Sequence, residues 1–107
     1  MNPRAFNSLL TFQEPVIVED EYGGTQQTWA DQFQTWGHIR YLRGGESVMQ
    51  ARLENRQPVI LTIHQNSDTM RIDASWRVIY GGQIFELKET PRPNQERRAY
   101  LEVLAEL

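Results

Sequence analysis

The sequence has 107 residues, of which 39% are hydrophobic and 23% are charged, and these values favour one globular domain over residues 1–107. A net charge of −3 argues against a general duplex-binding surface, and the absence of cysteine excludes disulfides, thiolate zinc sites and a cysteine nucleophile. No apolar run approaches the roughly 18 residues of a membrane span, and the first residues lack the apolar core of a signal peptide. We therefore expect a soluble protein made in a cytoplasm, with no membrane partner.

The first predicted elements are a short helix and a β-hairpin. In residues 4–12, Phe6, Leu9 and Leu10 have the spacing i, i+3, i+4, which predicts one short helix. After it, "PVIVED" enters a hairpin, "EYGG" forms its turn and "TQQTW" leaves it. A glycine pair between two such runs is a turn signal, because glycine adopts positive φ without steric cost.

The turn of this hairpin contains three consecutive acids, Glu19, Asp20 and Glu21. An EF-hand needs oxygen ligands at alternating positions and a closing Glu, and that spacing is missing, so the acids predict a solvated turn. We expect Tyr22 and Trp29 to anchor the hairpin to the sheet.

The middle of the chain predicts a strand, a helix and a second strand. Residues 35–42 and 58–64 are rich in β-branched and aromatic residues, which favours strands. Between them, a glycine pair and Pro58 bound residues 46–57, which form either a flexible loop with a helical tendency or an amphipathic helix of one or two turns. Its apolar side is expected to carry Val48, Met49, Arg52 and Leu53.

The last third predicts three further strands. "WRVIYGGQIFEL" is the clearest hairpin of the chain, and residues 99–107 alternate Leu101, Val103 and Ala105 with other residues. Leu, Ala and Glu also suit a helix there, but the alternation favours a strand. Together these elements predict a mainly β fold, a small antiparallel β-barrel of about six strands with one or two short helices.

The sequence contains no recognisable catalytic or cofactor motif. His38 and His64 have no second ligand at metal-binding spacing, no serine lies in a G-x-S-x-G elbow, and the glycine pairs do not have the order of a phosphate loop. We therefore predict no enzyme activity, no metal and no cofactor. Arg92, Arg97 and Arg98 form a basic cluster. It either contacts phosphate or an acidic partner, or belongs to a polar loop between the last two strands, which the neighbouring Glu96 favours.

The order of these signals resembles the bacteriophage head–tail joining family, the head-completion or stopper proteins of tailed phages, prophages and gene transfer particles. The resemblance covers about residues 12–106. It lies in the order and spacing of the signals described above, since no single motif is specific. The matching positions are Asp20, Tyr22, Gly23, Gly24 and Trp29, then Trp36, then Gly45 and Glu46, then Arg71 and Ile72, then Phe85 and Leu87, and finally Arg98 with Leu101.

The resemblance implies a small barrel that assembles as a homo-oligomeric ring at the vertex where the tail attaches. One face of the ring would contact adaptor or portal proteins and the other a tail terminator or tail tube protein. Packaged double-stranded DNA would lie in the channel, and Asp20 would face either solvent or an arginine of a neighbouring subunit. A related role as adaptor or tail terminator stays open.

In some members the segment between the second and third strands projects into the channel and retains DNA. The matching segment is 43–57, and an equal alternative is that its helix covers the mouth of the barrel. The channel candidates are Arg43, Gly44, Gly45, Glu46, Met49 and Arg52.

A different class of function is a small barrel that binds single-stranded nucleic acid. Such a barrel needs exposed aromatic residues beside arginine on one face of the sheet. Trp36, Arg40 and Tyr41 are the nearest candidates.

Overall fold

The computed structural model describes residues 6–94 and 99–107 and consists mainly of antiparallel strands. The strands are β1 (Ser8–Glu19), β2 (Thr25–Tyr41), β3 (Pro58–His64), β4 (Arg77–Tyr80), β5 (Gln83–Leu87), β6 (Arg92–Pro93) and β7 (Tyr100–Glu106). One α-helix, α1 (Glu46–Leu53), lies between β2 and β3, and a 3₁₀ turn covers Thr69–Arg71.

The strands form one sheet in the order β3-β2-β1-β4-β5-β7-β6, and β3 also pairs with β7. This last pairing runs from Pro58 opposite Glu106 to His64 opposite Tyr100, so six strands form a closed ring of hydrogen-bonded neighbours. The expected mainly β, antiparallel fold with a short helix is confirmed. The seventh strand, β6, has only two residues and pairs with β7 along the same edge as β5.

The core fills the ring with side chains that alternate along the strands. On the paired strands β3 and β7, Leu61 lies opposite Val103 and Ile63 opposite Leu101, and all four side chains are buried. The full buried cluster is Leu10, Phe12, Val59, Leu61, Ile63, Ile72, Trp76, Val78, Phe85, Leu87, Leu101, Val103 and Ala105. The alternation that the sequence predicts for β4, β5 and β7 is therefore confirmed.

The helix predicted near the start of the chain is wrong for the residues that the structure describes. Residues 8–12 begin the strand β1, in which Leu10 and Phe12 point into the core and Leu9 points outward, opposite Trp36 of β2. The spacing of Phe6, Leu9 and Leu10 fits a helix, but pairing with β2 places Leu10 and Phe12 on the core side, where both are fully buried.

The strand β2 is longer than predicted and extends beyond the ring. The sequence indicates separate runs at "TQQTW" and 35–42, whereas β2 continues through both. One extra residue, Gln32, lies between the pairs Phe12–Phe33 and Gln13–Asp31 and forms a β-bulge. Because β4 pairs with β1 only as far as Gln13, the described part of the chain places no further strand beside the hairpin beyond the bulge.

Candidate assembly surfaces

The turn between β1 and β2 is built around the side chain of Asp20. Its Oδ1 accepts hydrogen bonds from the backbone N–H groups of Tyr22 and Gly24, both at 2.8 Å. Gly23 has φ +80°, which favours glycine, and a Cβ on Gly24 would lie 2.8 Å from Oδ2 of Asp20. Asp20, Gly23 and Gly24 therefore specify the shape of the turn, as an Asx-type motif.

Tyr22 does not anchor the hairpin. Its side chain is 94% exposed at the tip, so this expectation is wrong. The turn projects beyond the ring of strands, and the described residues leave the Tyr22 side chain almost fully open to solvent.

Trp29 lies at the root of the hairpin, against β4. Its indole ring is 4.3 Å from the guanidinium carbon of Arg77, a distance typical of a cation–π contact. Nε of Arg77 donates to Oε1 of Gln13 at 2.7 Å, and Nε2 of Gln13 donates to Asp31 at 2.6 Å. This chain of contacts fixes the direction in which the hairpin leaves the ring.

We call residues 14–30 the arm. It is a two-stranded ribbon that extends about 20 Å past the last β1–β4 pair, from the six residues after Gln13 at about 3.4 Å each. Val16, Ile17 and Val18 are 37%, 64% and 44% exposed, which is unusual for three consecutive aliphatic residues. The arm contains four acidic residues, Glu14, Glu19, Asp20 and Glu21, and no basic one.

The segment 43–57 lies at the other end of β2 and is closed by a neck of hydrogen bonds. Nε2 of Gln57 donates to the carbonyl oxygens of Leu42 at 2.9 Å and Pro58 at 2.8 Å. The backbone N–H of Leu42 donates to the carbonyl of Pro58 at 3.1 Å, and Gln57 exchanges backbone bonds with Leu107. The two ends of the segment are thus held together independently of its middle.

The helix α1 within this segment is held by few contacts. Its buried side chains are Val48 and Ala51, while Met49 is 53% and Leu53 83% exposed. The predicted apolar side is therefore wrong for Met49 and Leu53. Beside the helix is an open cavity of about 340 Å³. It is lined by the helix residues Val48, Gln50 and Ala51 and by Leu42, Arg56, Pro58, Leu104 and Glu106.

Ion pairs attach the end of the segment to β7. Nη1 of Arg56 donates to Oε1 of Glu106 at 3.0 Å and to Oε2 at 3.1 Å, and Arg56 also pairs with Glu54. Lys88 lies 3.3 Å from Glu106. Hydrogen bonds to Glu106 and Glu54 raise the pKa of Arg56 above its ordinary value, so this guanidinium stays charged.

The start of the helix has no side-chain cap. Gly45 occupies the N-cap position with φ 97°, and Gly44 precedes it in open space. Glu46 lies in the first turn and Arg52 in the last, which suits the helix dipole. Arg43 and Arg52 form no ion pair with any residue of 6–94 or 99–107.

Trp36 and Arg40 lie on the outward face of β2, where the alternating side chains Trp36, His38 and Arg40 follow one another. Trp36 is 55% exposed, and its cross-strand partner Leu9 is 37% exposed. Tyr41 belongs to the opposite face of the strand by alternation. The three candidates for binding single-stranded nucleic acid therefore do not share a face.

Arg71 ends the 3₁₀ turn, and Ile72 follows it. In the family pattern these two matching positions belong to a strand, whereas neither lies in a strand of the described chain. The guanidinium carbon of Arg71 is 5.9 Å from the ring centroids of both Phe33 and Trp76, and it covers the aromatic side of the core. Arg98 and Arg97 lie outside the described residues.

The candidates thus fall into two groups at opposite ends of a molecule whose longest dimension is 54 Å. The turn and root residues Asp20, Tyr22, Gly23, Gly24 and Trp29 belong to the arm, and the channel candidates belong to the segment 43–57. The sequence patterns did not single out Val16, Ile17, Val18 or Arg77. Three consecutive aliphatic residues beside an acidic turn were nevertheless a signal of the exposed apolar surface on the arm. Across the described ranges no group of three His, Asp or Glu side chains is placed to hold a metal ion, and no helix is long and apolar enough to cross a membrane.

The geometry defines a small closed β domain with a projecting arm at one end of β2 and a tethered segment at the other. The chain belongs to the phage head completion protein family, whose model matches residues 1–107. This confirms the resemblance to the head-completion proteins. The family is one of structural proteins of the phage particle.

Two solved structures resemble this fold. One is a chain of the virion of a native gene transfer agent particle, with 23% identity and a TM-score of 0.67, covering 98% of this chain and 96% of that one. The other is the solution structure of protein SF1141 from Shigella flexneri 2a, with 22% identity and a TM-score of 0.70, covering 98% and 95%. At these identities the likeness shows the fold alone. A search of curated proteins gave no match.

Proposed function

We propose that this protein is a head–tail connector of the stopper or joining type, which assembles in the host cytoplasm and then belongs to the neck of the particle. Copies form a homo-oligomeric ring between the adaptor or portal proteins of the head and the tail terminator or tail tube proteins. Family membership supports a role in head completion, and the similar fold of a chain from a gene transfer agent virion supports a place in the particle. The β-rich fold favours this role over that of an adaptor, which is usually more helical.

The observation that carries the proposal is the construction of the segment 43–57. Its neck at Leu42 and Gln57 is fixed to the sheet, whereas α1 is held by two buried side chains beside an open cavity. A segment built in this way can change position without disturbing the ring of strands. We propose that it faces the axial channel and helps retain packaged DNA.

The charges of the segment suit this task. Arg43 and Arg52 are available for phosphate contacts, while the chain as a whole has a net charge of −3. Two arginines per copy give non-specific contacts to double-stranded DNA, and the acidic surroundings keep these contacts weak enough for ejection. The exposed Met49 and Leu53 supply apolar contacts between neighbouring segments in the closed channel.

The test is to replace residues 46–53 with a Gly-Ser linker of the same length, so that the neck at Leu42 and Gln57 is kept. Particles made with this variant are expected to carry tails but to lose packaged DNA, measured by electron microscopy and by nuclease-protected DNA. A matched control is Ile84→Ser, which changes an aliphatic residue of β5 that is 46% exposed. The control is expected to retain both tails and DNA.

Deletion of the whole protein separates the connector role from the gating role. Without the connector we expect tailless particles that leak DNA. Intact tailed particles from a deletion strain would contradict the connector role altogether. Tailed particles with full DNA retention from the linker variant would contradict only the role of the segment.

A further inference from the structure

The arm presents a surface that the other described residues leave uncovered. Within residues 6–94 and 99–107 no strand pairs with either of its edges beyond the bulge, since β4 pairs with β1 only at Thr11–Gln13 and β3 pairs with β2 only from Gly37 onward. A two-stranded ribbon of this kind has marginal stability in water, and its exposed valines and isoleucine lower its solubility. The arm therefore has the composition of a docking element.

The charge of the arm selects its partner. The arm holds four of the 14 acidic residues and none of the 11 basic ones, so its net charge is −4, while the remainder of the chain has ten acidic and 11 basic residues, a net charge of +1. Phosphates would repel the arm, which excludes nucleic acid as the partner. The partner of the arm should therefore combine apolar and basic residues, and the described residues of this chain offer such a surface.

Outside the segment 43–57, which we propose for the channel, such a surface is the outward face of β2, which we call the β2 face: Trp36, His38 and Arg40. It combines an exposed indole with an arginine that forms no ion pair with any described residue. Trp36 and Arg40 are four residues apart on one face of the strand, about 13 Å. On one face of the arm, Glu14 and Val18 are also four residues apart, with Val16 between them.

We infer that the arm of one copy docks on the β2 face of the next copy, with Val16 and Val18 against Trp36 and Glu14 beside Arg40. The inference deepens the proposed ring and rests on it. The arm and the β2 face are different surfaces, so the contact is heterologous, and repetition of a heterologous contact generates a ring when the rotation closes. One alignment of the arm on the β2 face then provides both the apolar contact and the charge pairing.

Charge reversal tests the pairing of Glu14 with Arg40. Self-association of the purified protein is measured by sedimentation equilibrium at concentrations up to about 1 mM, the range of weak contacts. Glu14→Arg and Arg40→Glu are each expected to weaken association about tenfold at low salt, since each replaces attraction with repulsion. The double variant carries both reversals in every copy and is expected to restore association.

Val18→Ser tests the apolar part of the contact, with Ile84→Ser as a matched control. Val18 is 44% and Ile84 46% exposed, so the two changes remove similar aliphatic surface. Val18→Ser is expected to weaken association about tenfold and Ile84→Ser to leave it unchanged. Equal effects of the two variants would contradict docking through the arm.

The absence of cysteine makes the geometry of the contact directly testable. A Thr28→Cys chain, altered opposite Val16 on the arm, is mixed with a His38→Cys chain and treated with a short thiol cross-linker. We expect arm-to-β2-face products to exceed those of a mixture in which Ile84→Cys replaces His38→Cys. Predominance of arm-to-arm products, or yields at the control level, would overturn the inference.

The outcomes also separate this inference from the proposed ring. If substitutions at Glu14, Arg40 and Val18 do not change self-association, the proposed ring stands and the arm contact is overturned. No self-association and no cross-linking at the highest concentration overturns both. Arm variants that associate normally but fail to assemble into particles indicate a different basic protein as the partner, which also overturns docking between copies.

Discussion

The replacement Gly37→Ala is expected to destabilise the ring of strands. Gly37 is buried in β2 between Ser8 of β1 and Ile63 of β3. An added Cβ would lie 2.8 Å from Cδ1 of Leu10, 2.8 Å from the carbonyl oxygen of Thr62 and 3.0 Å from Cγ2 of Ile63. Real Cβ atoms do not approach other atoms this closely, so the neighbours must move.

The neighbours of Gly37 have little freedom to move. Leu10 and Ile63 are fully buried, and the carbonyl of Thr62 belongs to the backbone of β3, which pairs with both β2 and β7. Overpacking of a filled core costs about 1–3 kcal/mol. For a domain of this size each kcal/mol lowers Tm by about 4–8 °C, so we expect a decrease of about 10 °C.

Thermal and urea unfolding followed by circular dichroism measure this change. The control is Gly44→Ala, because a Cβ on Gly44 meets no atom within 4 Å. Its effect is expected to stay within about 0.5 kcal/mol. Equal stability of the Gly37→Ala and Gly44→Ala variants would refute the argument that close packing of β1, β2 and β3 requires glycine at 37.

Three further changes separate the arm, the segment 43–57 and the core. Asp20→Ala removes the acceptor of two backbone N–H groups, so amide exchange in the arm should accelerate about tenfold while Tm stays nearly constant, and an unchanged exchange rate would contradict this. Arg56→Gln should accelerate exchange in α1 only. Because the folded-state pKa of Arg56 is raised, its contribution is present below the unfolded-state pKa and is lost only as pH rises through the folded-state pKa. Raising the pH from neutral to about 10 should therefore not mimic this variant. Phe12→Ala, at a fully buried ring 5.2 Å from Phe33, should cost about 3–5 kcal/mol in unfolding free energy, and a small loss would contradict the described core.

The elements that the sequence predicts well are those with local signals. The glycine pair between β4 and β5, with φ of 59° and 78°, and the turn at Gly23 follow from backbone sterics alone. The alternation of β7 and the β-branched composition of β3 likewise arise within a few residues. These features do not depend on what the strands contact.

The features that the sequence predicts poorly depend on distant contacts. Because Leu9 is apolar like Leu10 and Phe12, the sequence shows no clear alternation at this position. Only the pairing of this segment with β2 determines that it is a strand and not a helix. The bulge at Gln32 and the closure of the ring by β3 and β7 have no local signal, because they arise from the register of strands far apart in sequence. In α1, Val48 and Ala51 face the sheet because of how the neck is held, and helical periodicity alone does not select them over Met49 and Leu53.

One of the patterns that contribute to the resemblance, from Asp20 to Trp29, specifies the local geometry of the arm. Asp20, Gly23 and Gly24 determine the turn, and Trp29 with Arg77 determines how the arm leaves the ring. None of these side chains has to contact a partner for the arm to point in a fixed direction. Choice of partner then rests with the exposed aliphatic and acidic residues that the motif does not include. If this division is correct, changes at those exposed positions alter which surface the arm binds while its shape and the core remain the same.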